Sequence, residues 1–208
     1  MVECRLCLRL ASFLDEVSCQ HPDYFTAPVP SFGDSKAALL VVGLAPGMHG
    51  ANRTGRPFTG DHAGILLFET LYRTGFSNQP QGADPQDGLT LTNCRITNAV
   101  RCLPPQNKPL PEEVARCNPY LQQELTTAPP PRVVVALGQV SHQAILKALS
   151  LKLRDYPFGH GLRYTLPSGH VLLTSYHCSR YNTQTKRLTA QMFHAVFDQA
   201  QQEIGYTS

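Results

Sequence analysis

The chain has 208 residues, 42% of them hydrophobic, and a formal net charge of +3, which predicts one soluble globular domain over residues 1–208 and permits a polyanionic partner without requiring one. Its longest apolar runs, at 37–44 and 133–137, are too short to cross a bilayer, and its first residues lack the apolar stretch of a secretory signal. We therefore expect a monomer in the cytoplasm, and its seven cysteines favour metal binding or burial over disulfides.

Apolar runs and helical spacing alternate along the chain. In chain order they predict a strand at 38–42, a helix at 63–74, a strand at Cys94–Asn98, a helix at 112–126, a strand at Val133–Leu137, a helix at 139–149, a strand at Val171–Ser175 and a helix at 184–202. Three of the strands are nearly continuous apolar runs, as strands buried on both faces should be. This alternation predicts an α/β fold, a three-layer α/β/α sandwich around a central four-stranded, mainly parallel sheet.

Four cysteines form two pairs. Cys4 and Cys7 have two residues between them, whereas Cys102 and Cys117 have fourteen. Such thiolates can surround one soft metal centre. Structural zinc usually has two close pairs, and the wide second pair suits a larger iron–sulfur cluster better. Burial as small apolar side chains explains Cys94 on a strand but not the pair near the charged terminus. Spacing leaves a cluster, zinc and no metal open.

Unusual residues follow the first predicted strand, where ligands gather in parallel sheets. Gly43 and Gly47 flank a turn whose backbone can approach a ligand closely, although ordinary loops share this pattern. Phe58 offers a ring face to a flat ligand such as a base, or else anchors the core. Asp61 precedes a predicted helix and is either a functional acid or its N-cap.

Polar residues also follow the second and the last strand. The Asn98 amide donates and accepts, so it can read a base edge, or it is a satisfied turn residue. His177 can donate to a developing oxyanion. Ser179, Arg180 and Thr183 can hold phosphates beside a helix N-terminus. The functional interpretation depends on these residues meeting at one edge of the sheet.

Together these motifs resemble a known family. They are Gly-Leu-Ala-Pro-Gly at 43–47, Gly-Arg-Pro-Phe-Thr-Gly-Asp at 55–61, Ile-Thr-Asn-Ala-Val-Arg-Cys at 96–102 and His-Cys-Ser-Arg-Tyr-Asn-Thr at 177–183. With the four cysteines they resemble the iron–sulfur branches of the uracil-DNA glycosylase superfamily over almost the whole chain. Family 4 has an acid where this chain has Leu44, whereas the first turn, the Asn-Arg-Thr-Gly-Arg run and Asp61 are similar to family 5, the type B enzymes. One departure is Cys178, where the family usually has proline.

The resemblance implies an enzyme of base excision repair. It would be a monofunctional glycosylase that hydrolyses the N-glycosidic bond of uracil and other deaminated bases, including hypoxanthine, in double-stranded DNA after base flipping. It would carry a 4Fe–4S cluster on Cys4, Cys7, Cys102 and Cys117. The alternatives are an iron–sulfur module that binds lesions without cleaving, and a family 4-like enzyme.

The resemblance and the chemistry of the side chains also suggest roles. The expected substrate-binding residues are Gly43, Ala45, Gly47, Phe58, Asn98 and His177. The expected catalytic residues are Asp61, Asn98, His177 and Asn182. The expected DNA-binding residues are Arg53, Arg56, Ser179, Arg180, Tyr181 and Thr183, with the Arg180–Tyr181 loop pressed into the minor groove.

Overall fold

A computed structural model describes residues 1–205, so the last three residues of the predicted domain lie outside the described part. It contains one six-stranded sheet in the order β1-β3-β2-β4-β6-β5. The strands are Phe32–Gly33 (β1), Leu39–Gly43 (β2), Cys94–Asn98 (β3), Val133–Leu137 (β4), Arg163–Thr165 (β5) and Val171–Ser175 (β6). The four predicted strands form the parallel centre of the sheet, which confirms the predicted sheet. The two added edge strands are antiparallel and too short to give a sequence pattern.

The helices cover both faces of this sheet. They are Leu8–Gln20 (α1), Ala51–Thr54 (α2), His62–Arg73 (α3), Pro111–Thr126 (α4), Gln139–Ala148 (α5), Arg180–Gln184 (α6) and Ala190–Ile204 (α7). On β2, Leu39 and Val41 face a core that includes α3 and α7, whereas Leu40 and Val42 face one that includes α4 and α5. Alternate strand residues point to opposite faces, so both faces of the strand are buried. The three-layer sandwich is confirmed.

The helices differ from the sequence prediction in two respects. The predicted helix at 184–202 is wrong as one element, because the chain forms α6 and α7 with a break between them. Lys186 in the break has a φ of +57°, which a right-handed helix does not contain. Ser179 and Thr189 each begin a helix by accepting a backbone N–H with the side chain. Helix α1 and the four-residue helix α2 were missed altogether.

Sheet register brings the functional candidates together. Gly43 at the end of β2 pairs with Asn98 at the end of β3. β6 ends at Ser175, two residues before His177, and is parallel to these strands through β4. The carboxyl ends of parallel strands lie at one edge, so the motifs converge there. Within residues 1–205 the longest helix has 16 residues, and none could span a membrane.

Candidate active site

A cleft of about 420 Å³ lies at this edge of the sheet. Its size is typical of sites that enclose a small flat ligand. It is lined by eight residues that the sequence analysis singled out for substrate, catalysis or DNA: Ala45, Gly47, Phe58, Asp61, Asn98, His177, Ser179 and Arg180. These side chains come from four separate segments, so the fold brings the distant motifs together as predicted.

Gly43 does not itself line the cleft, but its lack of a side chain lets the strand end approach two residues that do. A Cβ added to Gly43 would lie 2.4 Å from Asn98 Oδ1 and 2.6 Å from Phe58 Cζ. Asn98 is only 3% exposed, and its Oδ1 has no hydrogen-bond partner within residues 1–205. A buried polar atom left unpaired is costly, so this oxygen is ready to accept an N–H from a ligand.

Phe58 belongs both to the core and to the wall of the cleft. Its side chain packs with Leu67 and Phe68 of α3 in the hydrophobic cluster, and it also lines the cleft. Its ring lies 6.3 Å from the ring of His177, centroid to centroid, with 22° between the planes. The backbone of Phe58 has a φ of +62°, which is uncommon for a bulky residue and marks a conformation held by its surroundings.

Asp61 stands at the N-cap position of α3, but its side chain makes no capping hydrogen bond to that helix. Instead its Oδ2 accepts the backbone N–H of Ala51 at 3.0 Å. A Cβ on Gly47 or Gly50 would lie 2.2 or 2.0 Å from Asp61 Oδ1, so the carboxylate packs against the backbone of the glycine turn. Burial raises the pKa of Asp61, and the N–H groups of Ala51 and Gly47 oppose that rise. The carboxylate therefore lines the cleft and does not cap its own helix.

His177 is a neutral imidazole at pH 7. Burial lowers its pKa to about 4, so the ring can donate one N–H without carrying a charge. Asn182 Nδ2 donates to the backbone carbonyl of His177 at 2.8 Å. The predicted catalytic Asn182 does not line the cleft, so its contact with the site passes through the backbone of His177.

The segment after His177 forms the rim. Arg180 is exposed, and Tyr181 is 70% exposed, as residues that touch DNA should be. The Ser179 hydroxyl accepts the Asn182 N–H at 3.4 Å, and the Thr183 hydroxyl donates to the Arg180 carbonyl at 3.1 Å. Those two hydroxyls thus also hold the short helix α6 in place.

Cys178 ties the same rim to α3. Its side chain is fully buried, and its Sγ donates to the Ala63 carbonyl at 3.4 Å. Burial raises the pKa of this thiol to about 12, so it stays protonated and can donate. At the position where the family usually has proline, this chain anchors the loop with a thiol.

The prediction that Arg56 binds DNA needs correction. Arg56 is 6% exposed, and its guanidinium donates to both carboxylate oxygens of Asp87 at 2.8 and 2.9 Å and to the Asp84 carbonyl at 2.7 Å. A phosphate contact would require these hydrogen bonds, which are partly buried, to break. Arg53 lies outside the cleft and donates its Nε to the His49 carbonyl at 2.8 Å. An arginine that is committed to buried acceptors looks the same in sequence as an exposed one.

Two polar residues that line the cleft were missed. His62 is the first residue of α3, directly after Asp61, and its Nε2 lies 3.3 Å from the Thr183 hydroxyl. Its position directly after Asp61 could have identified His62 as a candidate site residue. Asn107 comes from the proline-rich loop that follows Cys102, and nothing in its local sequence pointed to the cleft.

The four paired cysteines line a separate cavity. Burial raises the pKa of Cys102 to about 12, and the neighbouring thiols Cys117, Cys4 and Cys7 add to the rise, which means that the four groups lie close together. The Arg101 N–H donates to Cys117 Sγ at 3.4 Å. Within residues 1–205, no group of three or more ligating side chains could hold a single metal ion.

Comparisons with known proteins agree with this geometry. The model of the "Uracil DNA glycosylase superfamily" matches residues 30–201. A type-5 uracil-DNA glycosylase of Thermus thermophilus is 46% identical over 210 aligned positions, which cover 99% of this chain and 95% of that protein. One from Mycobacterium tuberculosis is 41% identical over 97% of this chain and 78% of that protein.

A type-4 uracil-DNA glycosylase of Saccharolobus solfataricus is more distant, at 30% identity over 81% of this chain and 74% of that protein. The choice of family 5 over family 4, made from Leu44 and the Asn-Arg-Thr-Gly-Arg run, is thereby confirmed. The chain belongs to the uracil DNA glycosylase superfamily and, within it, to the type-5 family.

Proposed function

We propose that the protein is a DNA glycosylase that hydrolyses the N-glycosidic bond of uracil in DNA. The observation that carries the proposal is the convergence of Asp61, Phe58, Asn98 and His177 on one cleft at the strand ends. A ring face, a buried amide, a neutral imidazole and a carboxylate together meet the needs of base binding and of charge stabilisation. The names of the relatives, type-5 uracil-DNA glycosylases, support the same substrate.

The base must leave the duplex before it reaches this cleft, because a stacked base cannot touch the cleft floor. Arg180 and Tyr181, which are exposed, would enter the minor groove and hold the vacated space. In the cleft the ring of Phe58 would stack on the base. The unpaired Asn98 Oδ1 would accept an N–H from the base edge, which satisfies both groups.

Bond cleavage then separates charge, with a negative base and a positive sugar. Because the pKa of His177 is about 4, its imidazole would stabilise the departing base by donating a hydrogen bond and would not supply a full charge. The Asp61 carboxylate would stabilise the sugar cation or orient the attacking water. Asn182 would hold the imidazole in position through its bond to the His177 carbonyl.

The products would be a free base and an abasic site, the first step of base excision repair. No lysine is among the described residues that line the cleft, so no amine is placed for the Schiff base of a strand-cutting lyase. The apolar Leu44 and Ala45 at the cleft wall offer few polar groups that would reject a larger base. We therefore extend the substrates to deaminated purines such as hypoxanthine in double-stranded DNA. The named relatives come from bacteria and archaea, whose DNA lies in the cytoplasm, and we place the reaction there.

The four clustered thiols support a 4Fe–4S cluster held by Cys4, Cys7, Cys102 and Cys117. All four cysteines line one cavity. The fourteen residues between Cys102 and Cys117 suit a cluster, whose thiolates spread around a larger object, better than the two close pairs typical of structural zinc. Such a group would be structural, because it would join the chain start to the segment after β3 and to α4. Iron and sulfide analysis with visible absorption tests this, and stoichiometric zinc without iron would overturn it.

The decisive experiment uses purified protein in excess over a duplex with one uracil opposite guanine. Abasic sites are revealed by alkali, and a matched duplex with thymine opposite adenine is the control. We expect strand breaks at the uracil position only after alkali. Binding to the uracil duplex without abasic sites would instead support the non-cleaving lesion-binding module. A second panel carries hypoxanthine, and release of uracil alone would contradict the broader specificity.

A further inference from the structure

The loop after Cys102 contributes a residue to the cleft that the chemistry above does not use. Asn107 lines the same cleft as Asp61, Asn98 and His177. Of the twelve residues that line it, only Asn107 and Arg180 are exposed. These two side chains therefore mark the mouth of the cleft, whereas Asn98 lies at its buried end.

The backbone of the loop fixes where Asn107 stands. Gln106 and Asn107 have φ values of +55° and +56°, a left-handed conformation that asparagine tolerates better than most residues. The Asn107 N–H donates to the Pro104 carbonyl at 3.1 Å, and the Lys108 N–H donates to the Pro105 carbonyl at the same distance. The turn is thus closed by its own backbone, and the prolines limit its freedom.

Both ends of the loop are anchored in the body of the protein. Leu103 is buried against Leu14 and Val17 of α1. At the other end, Glu113 Oε2 accepts the Leu110 N–H at 2.7 Å. Arg9 donates to the Lys108 carbonyl at 3.3 Å and to the Glu113 carboxylate at 2.7 and 2.8 Å. A loop held this firmly can place a side chain with the accuracy that a substrate contact needs.

The Asn107 amide is uncommitted, since its side chain makes no hydrogen bond to any residue of the described range 1–205. We propose that Asn107 binds the sugar–phosphate backbone of the extruded nucleotide by donating from Nδ2 to a phosphate or sugar oxygen. This inference rests on the proposed function. When the extruded base occupies the buried end of the cleft, the sugar and phosphates attached to that base must lie at the mouth of the cleft. There Asn107 on one side and Arg180 on the other would hold it.

Asn107→Gly is the direct test, because glycine keeps the left-handed backbone and removes only the amide. Gln106→Gly is a matched control, since Gln106 has the same backbone conformation and exposure but does not line the cleft. Binding is measured to a duplex that carries a tetrahydrofuran abasic analogue, which has the sugar–phosphate backbone but no base. We expect Asn107→Gly to bind it about tenfold more weakly, as the loss of one hydrogen bond to a charged group implies, and Gln106→Gly to bind it like the wild type.

Asn107→Asp provides a second variant of nearly the same shape. Its carboxylate cannot donate and repels phosphate, so we expect weaker binding than with glycine and a loss that shrinks as salt rises. Unchanged binding by both Asn107 variants would overturn the proposal. So would normal binding of the base-free duplex with slow cleavage of uracil, which would mean a contact to the base itself. A wild-type protein that neither binds the analogue nor cleaves uracil would instead refute the proposed function.

Discussion

Asp61→Asn separates the chemistry of the cleft from its architecture. An asparagine has the same shape, and its Oδ1 can accept the Ala51 N–H that the Asp61 carboxylate now accepts at 3.0 Å. The fold should therefore persist. What disappears is the negative charge beside the glycine turn, which is the charge that the proposed mechanism assigns to the sugar cation.

The size of the loss follows from the Coulomb interaction. A carboxylate about 4 Å from a developing unit positive charge stabilises it by about 4 kcal/mol at an effective dielectric constant of about 20. At about 1.4 kcal/mol per tenfold in rate, this corresponds to roughly a thousandfold slower cleavage. That loss lies within the range known for one acid–base group, about a hundredfold to ten-thousandfold.

The Asp61→Asn substitution should lower activity, but it should leave the stability of the fold unchanged or raise it. Burial raises the pKa of Asp61, so the folded protein binds this proton more readily than the unfolded chain. The free energy of unfolding therefore falls as the pH rises from the ordinary pKa through the raised one. At neutral pH the asparagine variant, which has no charge to desolvate, should melt at the same temperature as the wild type or at a higher one.

Single-turnover cleavage of the uracil duplex at several pH values, together with thermal unfolding, tests this reasoning. The wild-type rate should fall on the acid side as Asp61 becomes protonated, and the asparagine variant should lack that limb. A variant that cleaves within about threefold of the wild-type rate, well short of the loss expected for such a group, would remove Asp61 from the mechanism. A variant that melts several degrees lower would show that the carboxylate has a structural role instead.

Three further variants test other parts of the structure. Burial lowers the pKa of His177 from 6.5 to about 4. The free energy of unfolding should therefore fall by at most about 3 kcal/mol as the pH drops from 6.5 to 4. Urea unfolding at these two pH values should show a smaller fall for the His177→Gln variant. Arg56→Ala should lose about 1.5–3 kcal/mol by removing the charged hydrogen bonds to the partly buried Asp87, while the folded variant keeps its affinity for undamaged DNA. Gly43→Ala should slow cleavage about a hundredfold by displacing Asn98, with near-native circular dichroism.

The sequence predicted the centre of the fold because burial leaves a direct pattern. The parallel strand β4 is a continuous apolar run and β6 begins with one, and the predicted bounds of both match the structure. The edge strand β5 has three residues, none of them buried, so no run or alternation could reveal it. Helix α1 did have a signal, since Leu10, Leu14 and Val17 repeat at helical spacing and are buried. The prediction passed over it.

The candidate site shows the same contrast between positions that local sequence patterns reveal and positions that only the folded chain reveals. Residues on motifs beside strand ends, such as Asn98 and His177, were predictable because sheet topology fixes where strand ends meet. The surroundings of Arg56 were not, because its partner Asp87 lies 31 residues away in an irregular loop. Asn107 was missed for a similar reason, since a loop's path over the surface depends on anchors such as Leu103 and Glu113 that only the folded chain reveals.

The pKa shifts of the two titratable groups in the cleft explain why the site suits bond cleavage better than substrate binding. Burial raises the pKa of Asp61 and lowers that of His177, so the cleft disfavours charge on both groups while it is empty. Burial costs an ionised Asp61 more than Arg53 and the backbone N–H groups return, so the carboxylate would gain further stabilisation once the sugar becomes positive. The imidazole N–H likewise lacks a strong acceptor until the base becomes negative. In the proposed mechanism both groups would gain most when the glycosidic bond is nearly broken, and only interactions that strengthen at that point accelerate the reaction.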